Sequence, residues 1–419
     1  MDQDELHAIE RSAEFIRQYY LAPGLPAGIA RTATPGVLVL DTGVEGPTVA
    51  VNALTHLSEP AGLAAQQQTI ERWLKGPRPK AGKIYLTLGH PPQDAQDYLE
   101  DIIDRAKNNA PIYYDDGHYE NMEHLATLAP YWRESRGNML DIHGSVGLRD
   151  QPMVIPYMAV PFGTRWQSRV DPRERAECIY QDGIDLKATA RRVSPLIARM
   201  PVRHVILDYY RYSAADPQLD AWFGGLAHMP ESAMPLVLEC GPSFSTAGRD
   251  TARVSAQAWL QNTLGWQAER QLPEVERYAY SGAHNLHHPQ VYWKSSPKKF
   301  PMSHKEVHDT YYPLISPEQT HTIENPHHRA TVERAYRDCE IDDTHLVNFE
   351  KIPARTPVAV GGKTGRLIEA LEAGYPLFTA GNAVPPDSRH PSYLMAYATE
   401  RQRMQDLLAV KKPSIRPGR

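Results

Sequence analysis

A series of short apolar runs, each ending in polar residues, constrains the fold of this chain most. The first begins at Val37 and stops abruptly at Asp41-Thr42-Gly43, as a buried parallel strand does where it meets a loop. Comparable runs lie at 83–88, 137–142, 153–160 and 202–207, and from Met234 onward. Because segments with helical spacing separate them, we predict an α/β fold: a mostly parallel central sheet flanked by helices.

Helical spacing is clearest in three segments. Residues 4–20 and 251–264 place apolar side chains among polar ones, as amphipathic helices do. Pro47 opens a further apolar segment, and because proline suits a first helical turn we predict a helix over 47–57. Glu45 is then expected at a junction between a strand and a helix.

The length of 419 residues exceeds one core of usual size, so we expect more than one domain. Residues 1–270 are predicted to form the α/β catalytic domain. Residues 271–340, rich in histidine, proline and tyrosine, are expected to be an irregular insertion or linker. The short apolar runs broken by glycine over 341–402 predict a small β domain. Residues 403–419 are expected to form a basic tail.

Composition excludes several classes of protein. A net charge of −5 gives no footprint for nucleic acid, and three distant cysteines indicate no disulfide framework. An acidic N-terminus and the absence of a long apolar run argue against export and membrane insertion. We therefore expect a cytoplasmic protein whose partner is a small-molecule substrate; assembly into a homo-oligomer stays open.

Three predicted strand ends carry groups suited to chemistry: Glu45, His143 and Glu239. A carboxylate and an imidazole are ligands for zinc, and a further carboxylate beside an open coordination position can act as a general base. Each residue also has a local alternative. Glu45 can stabilise a helix N-terminus or belong to an ordinary turn, His143 can bond a buried backbone group, and Glu239 can form an ion pair.

Several short words resemble the succinylglutamate desuccinylase and aspartoacylase family, zinc amidohydrolases related to zinc carboxypeptidases. The family's His-Gly-x-Glu, Asp-Leu-His and Glu-Val-Gly-Pro words resemble, in order, the words ending at Glu45, at His143 and at Pro242. Near the end of the chain, Tyr375-Pro376-Leu377-Phe378 and Ala396-Tyr397-Ala398 resemble the family's Tyr-Pro-x-Phe and Ala-Phe-Ala words. The resemblance implies a carboxypeptidase-like fold in which the small β domain caps the site.

The resemblance also implies one zinc ion, with Glu45 and His143 as ligands and Glu239 activating a water molecule. Thr42 stands where the family has its first ligand histidine, and a protonated hydroxyl is a poor zinc ligand. The replacement is expected to be Asp41, one residue away, or His90 or His118 from a neighbouring loop.

Four residues are candidates for binding substrate. His90 stands in Gly89-His90-Pro91 where the family has asparagine, and His118 lies where it has an Asp-Leu-Asn-Arg word. Arg203 offers a guanidinium group for a carboxylate. Tyr393 resembles the tyrosine that the family's last domain presents to the site.

The expected function is a metal-dependent amidohydrolase that releases an acid and an amine from an N-acylated amino acid or a similar small amide. Two alternatives stay open because of Thr42 and the altered substrate-binding words. One is a relative without zinc that performs other acid–base chemistry, and the other is a relative that only binds a ligand.

Overall fold

A computed structural model describes most of the chain. The described residues are 3–110, 121–145, 151–156, 158–160, 186–207, 211–213, 234–267, 274–281, 284–285, 309–323, 325–342, 345–370, 373–377, 396–398 and 400–409. Their helices are α1 (Gln3–Ile16), α2 (Ala61–Lys75), α3 (Pro92–Lys107), α4 (Met122–Glu134), α5 (Leu186–Leu196), α6 (Thr246–Leu264), α7 (Pro326–Asp338) and α8 (Met404–Leu408), with a π-helical turn at Arg17–Leu21 and a 3₁₀ helix at Pro317–Thr322.

Strands fall into one large sheet and several small ones. They are β1 (Ala30–Arg31), β2 (Val37–Asp41), β3 (Thr48–Ala53), β4 (Lys83–Leu88), β5 (Met139–Ser145), β6 (Met153–Pro156), β7 (Met158–Val160), β8 (His204–Ile206), β9 (Arg211–Ser213), β10 (Leu236–Pro242), β11 (Tyr278–Ser281), β12 (His284–Asn285), β13 (Tyr311–Pro313), β14 (Pro357–Gly361), β15 (Leu367–Glu369), β16 (Tyr375–Pro376), β17 (Ala396–Ala398) and β18 (Glu400–Arg403).

The large sheet has the strand order β1-β2-β4-β3-β5-β10-β6-β8-β11-β18. Strands β4, β3, β5 and β10 run parallel, whereas β6, β8 and β11 run parallel to one another in the opposite direction. The outer pairs are antiparallel. A mostly parallel sheet flanked by helices confirms the predicted fold class.

One face of this sheet is covered by helices α1, α2 and α6, which contribute to the largest apolar core. Helix α2 lies very close to the sheet, since a Cβ atom placed on Gly62 would come within 2.7 Å of the Cβ of Ala53. Only glycine permits that approach. The loop before α2 is thereby held against the carboxyl ends of β3 and β5.

The opposite face has two separate covers. Helix α4 packs over β2, β4, β3 and the start of β5 through Leu125, Leu128 and Trp132. Beyond β10, Phe349 and Leu377 from the C-terminal part cover the apolar residues of β6, β8 and β11. The ends of β5 and β10 lie at the boundary between these covers.

A small antiparallel sheet, β13-β14-β15, forms a separate C-terminal unit. Helix α7 packs against it through Val332 and Tyr336, which join Val360 in one apolar cluster. Thus the described parts of 271–340, which we expected to be irregular, contain regular elements of this unit and also β11 of the large sheet. The segment 341–402 also contributes to both units: β14 and β15 belong to the small sheet, whereas β18, which begins at Glu400, pairs with β11 of the large sheet.

Two local expectations were wrong. Residues 47–57 do not form a helix: β-branched Thr48, Val49 and Val51 belong to the central strand β3. Strand β2 is not parallel but runs antiparallel to β4. Among the described helices, none combines the length and the apolar character needed to cross a membrane.

His204 gives the fold a predictable pH dependence. Burial, aided by Arg401 and Arg203, lowers the pKa of His204 to about 4, against about 6.5 in an unfolded chain. Between these values the unfolded state binds more protons, so stability falls as the pH falls. We expect His204 to account for a loss of about 2 kcal/mol between pH 7 and pH 5. Urea unfolding at both pH values should show a smaller loss in His204→Gln; an unchanged pH dependence would contradict the assignment.

Candidate metal centre

The loop between β3 and α2 carries two potential metal ligands, His56 and Glu59. It leaves the sheet through Leu54, a buried residue whose φ of 58° lies in the left-handed region that few non-glycine residues adopt. The backbone N–H of Gly89, just after β4, donates to the carbonyl of Ala53 (2.8 Å) and fixes the start of the loop. Glu59 stands just before α2, where the helix dipole favours a carboxylate.

These two residues meet His143, which lies on β5 near its carboxyl end. One ligand atom from each of the three lies within 4.8 Å of the others. The Nδ1 atom of His143 is 2.9 Å from Oε2 of Glu59, and the rings of His56 and His143 are 5.2 Å apart between centroids. All three residues are no more than 6 % exposed. Two imidazoles and one carboxylate are therefore gathered in a site shielded from water.

Asp141 holds the other side of His143. Its Oδ2 atom lies 3.0 Å from Nε2 of His143, and its Oδ1 atom accepts hydrogen bonds from Asn52 and Thr55, each 2.9 Å long. Burial acts to raise the pKa of Asp141, but the charge of His143 and these hydrogen bonds outweigh it and lower the pKa. The carboxylate stays ionised and leaves Nδ1 of His143 as the ring nitrogen on the side of Glu59.

The charge of His143 follows from the same contacts. Burial alone would lower its pKa, but Asp141 and Glu59, one at each ring nitrogen, hold the pKa well above its usual value. Without a metal, the imidazolium ion thus offsets two buried carboxylates.

Glu239, the predicted base, lies beside His143. The two residues are directly paired in neighbouring parallel strands, so their backbones are about 4.8 Å apart and their side chains share one face of the sheet. Glu239 is 8 % exposed. The structure therefore brings together two of the three strand-end residues.

Asp41 and Glu45 lie elsewhere, which corrects their expected place beside His143. Because β2 is antiparallel to β4, its carboxyl end pairs with Lys83 at the beginning of β4. His143 belongs to the opposite edge, roughly 17 Å away, five residues of β4 at about 3.3 Å each. Both acidic residues are exposed. Asp41 accepts a bond from the N–H of Gly43 (2.8 Å), the ordinary turn that was the alternative for this stretch.

The candidate substrate-binding residues are distributed differently. His90 is buried at the carboxyl end of β4, on the same edge as the His56 loop. Arg203 is exposed and precedes β8, whose first residue, His204, occupies the register row of His143 and Glu239. His118 and Tyr393 lie outside the described residues.

Sequence reasoning missed His56 and Glu59 because the segment before them was assigned to a helix. The signal was present: the run that begins at Val49 ends at Leu54, and after Thr55 comes the motif His56-Leu57-Ser58-Glu59. This motif has a histidine three residues before its glutamate, where Thr42-Gly43-Val44-Glu45 has a threonine. His56 thus stands in the position for which no histidine had been found.

The donor set fits a divalent transition metal. Two histidines and one glutamate are the protein ligands of catalytic zinc in several hydrolases. A carboxylate behind a ligand histidine, as Asp141 stands behind His143, is the usual outer support of such sites.

No family model and no curated protein matches this chain. Among solved structures, succinylglutamate desuccinylase from Vibrio cholerae has 14 % identity and a TM-score of 0.46, over 90 % of each chain. The chain is similar to structures of this family. The desuccinylase from Vibrio parahaemolyticus has 11 % identity and a TM-score of 0.45 over 93 % of this chain and 98 % of its own.

An aspartoacylase family protein from Mesorhizobium loti has 11 % identity and a TM-score of 0.43, covering 87 % of this chain and 88 % of its own.

A matched pair of glutamates tests which carboxylate belongs to the site. We expect Glu59→Gln to weaken zinc binding by more than the roughly 10–100-fold that outer-shell changes cost, because it removes a charged ligand. Glu45→Gln removes the same charge from an exposed turn and should leave the affinity unchanged. Competition with a chromogenic chelator measures both. Equal effects of the two variants would contradict the placement of the centre.

Proposed function

We propose that the protein is a zinc-dependent amidohydrolase, a deacylase, and a divergent member of the succinylglutamate desuccinylase and aspartoacylase family. One observation carries the proposal: His56, Glu59 and His143 converge in a buried site with Glu239 on the adjacent strand. His56-x-x-Glu59 and Asp141-x-His143 supply the family's ligand words. The expected zinc-free alternatives depended on Thr42 and on the altered substrate-binding motifs, and the first of these reasons no longer applies once His56 is the candidate ligand.

His56, Glu59 and His143 would hold the metal. When bound, zinc would act as a Lewis acid, which lowers the pKa of a bound water molecule and polarises a carbonyl group. Asp141 keeps Nε2 of His143 as a hydrogen-bond donor, so that Nδ1 faces the metal side. The low exposure of the three ligands excludes bulk water and strengthens their electrostatic interactions.

Glu239 is proposed as the general base and acid. Its carboxylate takes a proton from the attacking water and delivers it to the nitrogen of the leaving amine, so one C–N bond breaks and one C–O bond forms. The pairing of Glu239 with His143 in adjacent strands, which gives the two side chains the same face of the sheet, supports this role. The products are a carboxylic acid and an amine.

The proposed substrate is an N-acylated amino acid or a similar small linear amide. His90 lies at the edge of the sheet that carries the metal centre, and we propose that it contacts the substrate. Arg203, His118 and Tyr393 stay proposals for the same task, with Arg203 suited to a carboxylate because its guanidinium group can bind both oxygens.

Glu239→Gln tests the mechanism. We expect the amide to abolish proton transfer and to lower kcat by about 10²–10⁴-fold, while zinc content stays near that of the unaltered protein because Glu239 is not a ligand. The assay is amine release from a panel of N-acylated amino acids, beside metal analysis of the same samples. Unchanged turnover of an accepted substrate would overturn the assigned role, and loss of zinc would show that Glu239 binds the metal.

A further inference from the structure

A row of buried polar side chains crosses three adjacent strands and ends at the metal centre. Thr87 on β4 is paired with Asn52 on β3, and Asn52 with Asp141 on β5. Paired residues in parallel strands share a face of the sheet. Thr87 and Asn52 are both fully buried. Two polar groups so deep in the sheet demand hydrogen-bond partners.

Each bond in this row has a fixed direction. Trp132 of α4 can only donate, and its Nε1 lies 3.4 Å from Oγ1 of Thr87. The Thr87 hydroxyl then donates to Oδ1 of Asn52 (2.7 Å). Asp141, as a carboxylate, can only accept, so Asn52 turns its Nδ2 towards Oδ1 of Asp141 (2.9 Å). The amide of Asn52 therefore has one permitted orientation.

Thr55 connects this row to the other ligand-bearing segment. Its hydroxyl accepts from Nδ2 of Asn52 (2.8 Å) and donates to Oδ1 of Asp141 (2.9 Å). Two donors thus occupy Oδ1, which leaves Oδ2 for Nε2 of His143. Thr55 is also the residue directly before His56, so the same bonds restrain the loop that bears the second imidazole.

We propose that Thr87 and Asn52 are positioning residues of the metal centre, which orient His143 through Asp141 without contacting the metal. This inference rests on the proposed function, because it assigns the row a role in metal binding. Loss of the Thr87 hydroxyl removes the donor to Oδ1 of Asn52 and loosens the amide that donates to Asp141. Thr55 is then the firmer of the two donors to Oδ1 of Asp141, and the orientation of His143 towards Glu59 is fixed less tightly.

The test compares Thr87→Val and Asn52→Leu with a matched control, Thr69→Val. Thr69 in α2 is also buried, and its hydroxyl donates to the carbonyl of Ala65 (2.8 Å), away from the row. We expect about a 10–100-fold weaker zinc affinity in the two row variants, the usual effect of altered outer-shell partners. Thr69→Val should retain the affinity, and Thr87→Ser should restore it. Chelator competition gives the affinity, and calorimetry of the metal-free proteins gives Tm.

The outcomes separate structural from positioning roles. If the row variants lower Tm as Thr69→Val does but bind zinc normally, the inference is overturned. If the unaltered protein binds no zinc, the proposed function fails. The orientation of His143 is then judged from its ring N–H signals in ¹⁵N-histidine NMR spectra of the metal-free protein. The His143→Gln variant assigns these signals. Signals altered in Asn52→Leu but kept in Thr69→Val support the positioning role; unaltered signals in both overturn it.

Discussion

The buried carboxylate of Asp141 imposes the strictest requirement on this structure. An ionised group is costly to bury unless hydrogen bonds and an opposite charge surround it. Asn52 on β3 and Thr55 in the loop after β3 donate the hydrogen bonds, and His143 on β5 supplies the opposite charge. Because a shift of one residue in either strand would turn these groups to the other face, the requirement also fixes the register in the middle of the sheet.

The location of the site follows from how the sheet is covered. Helix α4 protects one part of the face and the C-terminal segment protects another, each through its own apolar cluster. His143 and Glu239 lie where the two covers meet, at the carboxyl ends of parallel strands. Next to β10 the sheet reverses direction at β6. In open sheets, the carboxyl ends of strands near a change in strand arrangement are where ligands bind.

The sequence predicted the fold class and the carboxyl ends of β5 and β10, because apolar runs that end in Asp141-x-His143 and Glu239 are local signals. It could not predict the direction of β2, because that direction depends on pairing with β4. The prediction therefore placed Asp41 and Glu45 at the edge of the sheet that carries His143, whereas they lie at the opposite edge. Strand β3 was missed for a different reason: a short apolar run suits either a helix or a buried strand, and Pro47 favoured the helix. That one assignment concealed His56 and Glu59.

The loop that carries His56 and Glu59 explains why these two residues can bind one metal ion. Leu54 adopts a left-handed backbone conformation, which costs roughly 1–3 kcal/mol where surrounding contacts enforce it. The Gly89 bond to Ala53, the Thr55 bond to Asp141 and the close packing of Gly62 in α2 supply those contacts. A chain held at Ala53, Thr55 and Gly62 has only a few residues between strand and helix. In that short interval the two ligands, three residues apart, both face the end of β5, where they meet His143.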